Sequence, residues 1–327
     1  MTAFKRIALI FSTFFAAGLC FAAPASAQAT RTWISGVGDD ANPCSRTAPC
    51  KTFGGAIAKT AGGGEINCLD PGGFGSLTIT KSIAIICENN PQAGVLVAAT
   101  NAIIINVPAG TYVTISGLYV DGLGSTGVAG VNGIYVLQGG NVTLRNMTIG
   151  GFRNGYGVNF VNTQAGKLIM DNVSVIEGGI VSDTLTGGVL VQPAAGITAD
   201  VTIVNSRLLN NQNIGLRLDT VNIIGSVINA TVDNTTIAGN TNGILLKSPP
   251  STGTIKLILD HSVVSNSSSF GLIVNGTGST ARVGNSLISN NLTGVAALQS
   301  GSLFSYGNNQ LDGNGTDGAF TSLIPNK

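Results

Sequence analysis

Charge is scarce in this sequence. Only 9% of the 327 residues are Asp, Glu, Lys or Arg, against about 25% in a typical soluble domain. The 16 basic residues nearly balance the 15 acidic ones, so the chain lacks the basic patches on which nucleic-acid binding rests. The scarcity of charge does not indicate disorder, because disordered chains have low hydrophobicity and 43% of these residues are hydrophobic. We therefore expect a folded protein that binds no nucleic acid.

Long apolar runs are also missing, except at the start of the chain. Lys5 and Arg6 precede an apolar run over residues 7–21, and Ala-Ser-Ala follows at residues 25–27. This order is typical of a secretory signal peptide, and the run is shorter than the roughly 20 residues that a spanning helix needs. We expect residues 1–27 to be removed during export. The mature protein is then periplasmic or released, with no membrane insertion.

Glycine is abundant, with 46 residues, and it separates the short runs of a sequence repeat. Short β-branched runs end at a recurrent polar position, and the steps between successive positions are 26, 33, 29, 27, 24 and 23 residues. This position is occupied by Asn146, Asn172, Asn205, Asn234, His261, Asn285 and Asn308. In four repeats a second apolar run begins 9 or 10 residues later, at Gly215, Gly243, Gly271 and Gly294.

The repeat predicts an elongated β-solenoid. A period of 20 to 35 residues is typical of stacked repeat proteins, and no segment beyond residue 64 has helical periodicity. One coil cannot bury its own inward side chains, so neighbouring coils must stack into a continuous core. We expect an all-β fold, a single-stranded parallel β-helix of about ten coils over residues 65–327. A leucine-rich horseshoe is the alternative, but its helical convex segments and steadier repeat lengths are missing.

Residues 28–64 differ from the repeat and are expected to form an N-terminal cap. Phe53, Ala56 and Ile57 fall on one face of a helical stretch over residues 51–59, with the i, i+3, i+4 spacing of an amphipathic helix. The open end of a solenoid exposes apolar side chains and an unpaired edge. A short helix placed there would cover both.

Four cysteines follow the leader: Cys44, Cys50, Cys68 and Cys87. An even number in an exported protein indicates disulfides, and their spacing matches no common zinc pattern. The runs 65–68, 84–87 and 103–106 each start 19 residues after the last, which predicts three stacked strands. Stacked strands lie about 4.8 Å apart, within the usual Cα separation of a disulfide. Of the three pairings possible, we expect Cys68–Cys87 between coils, which leaves Cys44–Cys50 closing a small loop.

The recurrent asparagine suits a tight turn between strands, because Asn tolerates unusual backbone angles and bonds nearby main chain. Stacked amides can also bond one another along the axis. Over residues 65–320 this pattern resembles the asparagine ladder of the pectate lyase-like right-handed β-helix proteins. Residues 33–44 and 49–53 are similar to the N-terminal cap of exported bacterial β-helix proteins. The resemblance implies a right-handed solenoid, and it concerns the fold.

Many relatives with this fold are polysaccharide lyases or hydrolases, but their motifs are missing here. The arginine segments of pectate-type lyases, such as Arg-x-Pro-x-x-Arg, do not occur. Of the polygalacturonase motifs, Gly-His-Gly and Arg-Ile-Lys are absent, and Asn234-Thr235-Thr236 lacks the acid of Asn-Thr-Asp. The pair Asp39-Asp40 lies in the cap, where we interpret it as a solvated loop. No segment therefore predicts a catalytic centre of either kind.

Asp233 and Asp260 are the best paired acids, because they hold the same place in adjacent coils. A separation of about 5 Å would suit a retaining glycosidase pair or a calcium site. Val204 and Gly284 hold the flanking places, so solvated turn acids are the favoured interpretation. His261, the one histidine, weakly resembles the Ile-Asp-His motif of pectate lyases. A ring nitrogen replacing an amide in the ladder explains it without catalysis.

Two cations, Arg217 and Lys247, are weak candidates for substrate binding. Arg217 falls between Leu216 and Leu218, so strand alternation directs it outward. For four of the five tyrosines, a sugar-stacking face is one interpretation, and a place in the core or on its flank is the commoner one: Tyr112, Tyr119, Tyr135 and Tyr156.

The sequence favours a non-enzymatic exported protein that contacts an extracellular polysaccharide or a cell-envelope glycan. A carbohydrate-active enzyme, either a lyase or a glycoside hydrolase, is the alternative. It is supported by fold analogy, a weak warrant for function, and by the pair Asp233 and Asp260. We expect no cofactor and no metal ion.

Overall fold

The computed structural model describes residues 28–88, 90, 92–124 and 127–325. The predicted leader, residues 1–27, lies outside them. The chain is an all-β, right-handed parallel β-helix of about 10 turns. No helix among the described residues is long and apolar enough to cross a membrane.

The first half of the described chain contains one helix and thirteen strands. Its elements are β1 (Ala29–Ile34), α1 (Phe53–Lys59), β2 (Thr60–Cys68), β3 (Gly72–Gly73), β4 (Leu77–Ile79), β5 (Ile83–Ile86), β6 (Ala93–Leu96), β7 (Ile103–Ile105), β8 (Tyr112–Ser116), β9 (Tyr119–Asp121), β10 (Ile134–Val136), β11 (Gly140–Gly150), β12 (Tyr156–Phe160) and β13 (Gly166–Ile176).

The second half consists of strands and turns. Its elements are β14 (Gly187–Val191), β15 (Thr198–Val204), β16 (Arg207–Leu209), β17 (Ile214–Asp219), β18 (Val227–Asp233), β19 (Thr236–Ala238), β20 (Asn242–Lys247), β21 (Thr254–Asp260), β22 (Val263–Ser265), β23 (Phe270–Asn275), β24 (Ser279–Gly284), β25 (Leu287–Ser289), β26 (Thr293–Leu298), β27 (Ser302–Ser305), β28 (Gln310–Leu311) and β29 (Ser322–Leu323).

Each coil contributes strands to three parallel stacks. A long-strand face stacks β1, β2, β5, β8, β11, β13, β15, β18, β21, β24, β27 and β29, and a short-strand face stacks β3, β6, β9, β16, β19, β22, β25 and β28. The two faces join into one sheet because β11 and β13 run through the bend between them. A second sheet of nine strands stacks β4, β7, β10, β12, β14, β17, β20, β23 and β26.

Alternation along each strand builds the core. In β21 the side chains of Ile255, Leu257 and Leu259 are fully buried, while the residues between them face outward. Removing a side chain of this size from water contributes about 1.5–3 kcal/mol. Because β18 and β24 repeat the alternation in register, the buried residues form one continuous cluster along the axis.

The bend between the long and short faces is made by a left-handed residue. Asn146, Asn172, Asn205, Asn234, His261 and Asn285 have φ between 42° and 54°. Asn tolerates this conformation better than most side chains, and His261 takes it with φ 42°. In the last coil the left-handed residue is Gly307, with φ 83°, and Asn308 follows it.

The helix within residues 28–64, the segment expected to form the cap, packs against β1, β2 and β4. The helix begins at Phe53 instead of residue 51, because Thr52 is its N-cap and its side chain accepts a hydrogen bond from the Gly55 amide. Phe53 and Ala56 are buried, and Ile57 packs against the core. The cap also supplies a strand, since β1 pairs in parallel with β2. The expected boundary at Gly64 falls within β2, which begins at Thr60.

The two disulfides join Cys44 to Cys50 and Cys68 to Cys87, with Cα separations of 4.6 and 4.9 Å. Asn67 pairs with Ile86 in the register of β2 and β5, so Cys68 and Cys87 occupy neighbouring coils. This is the pairing expected from the 19-residue step.

The stacking predicted for residues 103–106 is wrong. The strand that follows β5 on the long-strand face is β8, in which Thr114 pairs with Ala84. Residues 103–105 form β7, which pairs with β4 in the second sheet. The coil from β5 to β8 has the same three strands as the coil before it, but the segments between its strands are about twice as long.

Candidate functional site

The outward side of the long-strand face carries aligned columns of polar side chains. One column consists of Asn141, Lys167, Asp200, Asn229, Lys256 and Thr280. The next consists of Thr143, Ile169, Thr202, Thr231, Ile258 and Arg282. Strand stacking spaces the members of each column about 4.8 Å apart. The face is therefore a regular array that runs along the solenoid axis.

Two recesses on this face share Ile258 and Arg282 and together form what we call the outer groove. The larger one, about 770 Å³, is also lined by Asp260, Asn285, Tyr306, Asn308, Ile324 and Pro325. The smaller one, about 360 Å³, is also lined by Asp200, Val201, Thr202, Asn229, Ala230, Thr231 and Lys256. The outer groove thus extends from β15 to the last coil.

Asp233, Asp260 and His261 come together at the edge of the outer groove, which Asp260 lines. The two acids are register partners at the ends of β18 and β21. The Nδ1 atom of His261 lies 3.2 Å from Asp260 Oδ2 and 3.5 Å from Asp233 Oδ1. One ligand atom from each residue lies within 4.8 Å of the other two. Because the flanking partners are Val204 and Gly284, the acidic column is two coils long.

Both carboxylate oxygens of Asp260 already have partners. Asp260 Oδ1 accepts a hydrogen bond of 2.9 Å from the Asn285 amide, and its Oδ2 faces His261. All three side chains remain partly open to solvent, with exposed fractions of 62% for His261, 44% for Asp233 and 36% for Asp260. The arrangement can bind a cation or move a proton. The same contacts join adjacent coils, so they also suit a purely structural role.

The amides of the bend form a ladder with interruptions. Asn172 donates to Asn146, Asn234 to Asn205, and Asn308 to Asn285, at 2.8–2.9 Å. Two rungs are replaced by carboxylates, because Asn205 donates to Asp171 and Asn285 donates to Asp260. His261 occupies the ladder position in its coil and reaches both neighbouring acids. The ladder therefore ties Asp171 and Asp260 into the stacking of the coils.

Arg217 and Lys247 lie on the second sheet, away from the acids. Arg217 is oriented outward between the buried Leu216 and Leu218, but its side chain is only 12% exposed. Its guanidinium pairs with the buried Asp219 at 2.5 Å and donates to the Thr184 carbonyl. Lys247 is the register partner of Asp219. Arg217 is thus engaged by its own coil and the loop before β14.

The four tyrosines considered for a sugar-stacking face, out of five in the chain, do not lie on one face. Tyr112 is 68% exposed on the long-strand face, and Tyr119 is 45% exposed on the short-strand face. Tyr135 and Tyr156 belong to the second sheet, where Tyr156 is only 3% exposed. Burial raises the pKa of Tyr156 to about 12. A single sugar-stacking platform of tyrosines is therefore not present.

A second ladder lies inside the solenoid, and the sequence analysis missed it. Asn211 bonds Asn240, and Asn291 bonds Asn314, each through both the backbone amide and the side-chain amide at 2.9–3.0 Å. The members are Asn211, Asn240, Ser267, Asn291 and Asn314, and Ser267 is the exception to asparagine. Each follows the recurrent Asn or His of the repeat by six positions, counted in the last coil from Asn308. That constant offset is the signal that could have revealed the inner ladder.

Comparison with known proteins agrees with this architecture. No protein-family model matches the chain, and no curated protein matches it in sequence. Among solved structures, pectate lyase Pel9A superposes with a TM-score of 0.60 at 16% identity, covering 93% of this chain and 82% of that one. The chain has the pectate lyase-like β-helix fold.

Two further solved structures superpose on the chain with lower TM-scores. The mannuronan C-5 epimerase AlgE4 A-module of Azotobacter vinelandii gives a TM-score of 0.43 at 10% identity, covering 81% of this chain and 91% of that one. Endopolygalacturonase I of Stereum purpureum gives 0.38 at 15% identity, covering 80% and 89%. At these identities the likeness concerns the fold, since one fold hosts many functions.

Proposed function

We propose that this is an exported, non-catalytic protein that binds an extended acidic polysaccharide along the outer groove. Export is supported by the leader-like N-terminus and by two disulfides, which persist in oxidising compartments. The fold it shares with pectate lyase Pel9A supports a glycan as ligand. The protein then acts in the periplasm or outside the cell, on a matrix or envelope polysaccharide.

The continuity of the outer groove carries this proposal. Its two recesses meet at Ile258 and Arg282, so a linear polymer can lie across several coils without leaving the surface. The array repeats about every 4.8 Å, which suits a ligand that is itself a repeat. Tyr306, Ile324 and Pro325 line the far end, in the last coil.

Two cations without ion-pair partners support an acidic ligand in the outer groove, where the two lining carboxylates, Asp200 and Asp260, accept hydrogen bonds from Asn229 and Asn285. Lys256 is exposed, and Arg282 lies with its guanidinium carbon 5.7 Å from the centre of the Phe304 ring. Neither forms an ion pair with a carboxylate of the described residues. Their register partners are Thr280 and Ile258, so the two charges lie on adjacent coils. A uronate or sulfate group can bridge them with charge-assisted hydrogen bonds.

The partners of the nearby acids support a binding role over a catalytic one. Asp260 is held by Asn285 and His261, and Asp233 by His261. These contacts tie the acids into the stacking of the coils, which accounts for the acids without catalysis.

Binding to a polysaccharide panel tests the proposal. Polygalacturonate and alginate supply acidic chains, and cellulose and xylan supply neutral ones. We expect the acidic chains to bind, and Lys256→Ala with Arg282→Ala to weaken that binding by roughly tenfold or more, as the loss of charged hydrogen bonds predicts. Arg46→Ala is the matched control, because Arg46 is exposed on the cap. Equal binding by the double variant and wild type would rule out the outer groove.

The juxtaposition of Asp233 and Asp260 favours a second candidate, a polysaccharide lyase or glycoside hydrolase. The same panel, assayed for reducing ends and unsaturated products with and without calcium, separates the two functions. Under the non-catalytic proposal no product forms. Turnover that disappears in both Asp233→Asn and Asp260→Asn would establish the enzyme instead, with Asp312→Asn as an exposed control.

A further inference from the structure

A separate recess of about 460 Å³ lies at the bend between the long-strand and short-strand faces. We call it the corner cleft and define it by Glu88, Tyr119, Thr148, Asn172, Ser174 and Arg207. It shares no lining residue with the outer groove. It is also distinct from the cluster of Asp233, Asp260 and His261, which lies further along the axis.

Four of these side chains occupy one register column on successive coils. Tyr119 pairs with Thr148, Thr148 with Ser174, and Ser174 with Arg207. Three steps of about 4.8 Å place the backbones of Tyr119 and Arg207 about 14 Å apart. The column has an aromatic ring at one end, two hydroxyls between, and a guanidinium at the other end. Its length suits a short oligosaccharide better than a single sugar ring.

One hydrogen-bond acceptor of the corner cleft, Asn172 Oδ1, is open to a ligand. Asn172 donates its amide hydrogen to Asn146, and Asn146 donates to Glu88. The next ladder residue, Asn205, donates to Asp171 instead, so Asn172 Oδ1 accepts no hydrogen bond from a described residue. The ladder is interrupted where the cleft opens, and a free acceptor is left beside Ser174.

Besides this open acceptor, the corner cleft contains a positive charge without an ion-pair partner, that of Arg207. Its side chain is exposed, and it forms no ion pair with a carboxylate of the described residues. At the opposite end, Glu88 is held by Arg145 at 3.1 Å. The cleft therefore has positive character at Arg207 and a neutralised pair at the other end. Tyr119, 45% exposed, presents a ring on which the apolar face of a sugar can pack.

We infer that the corner cleft is a second carbohydrate-binding site, selective for a short oligosaccharide that carries an anionic group at one end. The Tyr119 ring packs against one sugar ring, Thr148, Ser174 and Asn172 bond the hydroxyls of the middle unit, and Arg207 bonds the anionic group. The site is independent of the outer groove. A protein with both sites can hold a polymer on one face and a short chain on the neighbouring face.

Calorimetric titration of the mature protein with trigalacturonate and cellotriose tests the inference. The titration uses the Lys256→Ala, Arg282→Ala double variant, which lacks the two cations of the outer groove and is called the background protein, so that binding reports on the corner cleft alone. We expect trigalacturonate to bind at one site, cellotriose to bind at least about tenfold more weakly, and Arg207→Gln to remove that difference. Equal affinities for the two trisaccharides in the background protein would overturn the anionic end of the assignment.

Substitutions of Tyr119 test the aromatic end. Tyr119→Phe retains the ring and is expected to retain binding, whereas Tyr119→Ala is expected to lose roughly tenfold, as for other aromatic contacts. Tyr112→Ala is the matched control, because Tyr112 is an exposed tyrosine outside the corner cleft and the outer groove. Circular dichroism confirms that each variant is folded. If Tyr119→Ala and Tyr112→Ala bind alike, or if trigalacturonate does not bind the background protein, the corner cleft is not a carbohydrate site.

Discussion

The side-chain amide of Asn291 occupies the space that a side chain on Gly271 would need. A Cβ atom built on Gly271 would lie 2.9 Å from Asn291 Nδ2. The same relationship recurs along the axis at 2.7–3.0 Å, between Gly188 and Asn211, Gly215 and Asn240, and Gly294 and Asn314. In these four runs of the second sheet, the glycine near the start of the run therefore leaves room for the inner-ladder amide of the next coil.

The inner ladder has one incomplete rung, at Ser267. Its Oγ is buried and has no hydrogen-bond partner, and the glycine of the preceding coil, Gly243, has no amide against it. We predict that Ser267→Asn raises the free energy of unfolding by about 1 kcal/mol, because an asparagine there can bond as its neighbours do. Denaturant unfolding measures the change, with Ser268→Asn as the exposed control. A less stable Ser267→Asn protein would show that the rung lacks room for an amide.

Gly271→Ala should disrupt the same packing. The new Cβ would lie 2.6 Å from the Gly294 carbonyl oxygen as well as 2.9 Å from the Asn291 amide, so backbone must shift. Overpacking of this kind costs about 1–3 kcal/mol. Gly73→Ala is the control, because nothing lies within 4 Å of its Cβ position and its φ is not in the left-handed region. Equal midpoints of denaturation in the two variants would contradict the packing argument.

The solenoid could be predicted from the sequence because its two signals are local. Alternating apolar residues specify the strands, and an Asn or His at each bend specifies the left-handed residue. The misplaced run at residues 103–106 shows the limit of this approach. The segments that join β5, β6, β7 and β8 are about twice as long as those of the coil before. The length of such a segment leaves no periodic signal, so the longer coil went unnoticed.

Side-chain pairing across coils was harder to predict than strand order. The register of Asp233 with Asp260 follows from the repeat, but the partners of each carboxylate depend on which rungs of the ladder are amides. Likewise, Arg217 is oriented outward, as strand alternation predicts. The loop that covers Arg217 through the Thr184 carbonyl has no sequence periodicity from which this contact could be predicted. Long-range contacts of loops are set by tertiary packing and not by local sequence.

The disulfide between Cys68 and Cys87 should matter more than the one in the cap. It closes a separation of 19 residues, against 6 for Cys44 and Cys50. The entropy of the unfolded chain then predicts that the free energy of unfolding falls by about 3 kcal/mol when Cys68 and Cys87 are replaced by Ser, and by about 2 kcal/mol when Cys44 and Cys50 are. Guanidinium unfolding of Cys68→Ser, Cys87→Ser beside Cys44→Ser, Cys50→Ser compares them. A larger loss from the cap pair would indicate that native-state contacts of the cap outweigh chain entropy.

Acid should destabilise the protein through Glu88. A hydrogen bond from the Ser116 hydroxyl, a second from Asn146 and the charge of Arg145 hold the pKa of Glu88 below its usual value of 4.5. Because the folded pKa is lower than the unfolded one, the carboxylate stabilises the fold above about pH 4.5, and this contribution is lost as pH falls through the folded pKa. Glu88→Gln removes the titration, so its stability should approach that of wild type as the pH falls from about 5 to about 3.

Unfolding midpoints measured at low salt across this range test the role of Glu88. Low salt is needed because Glu88 and Arg145 are both partly exposed and screening weakens their attraction. Glu65→Gln is the matched control, because Glu65 also pairs with an arginine, Arg31, at 3.0 Å, but accepts its side-chain hydrogen bond only from Asn67. Wild type and Glu88→Gln should differ most at neutral pH and converge in acid. A constant difference between them at every pH would mean that Glu88 acts through packing and not through its charge.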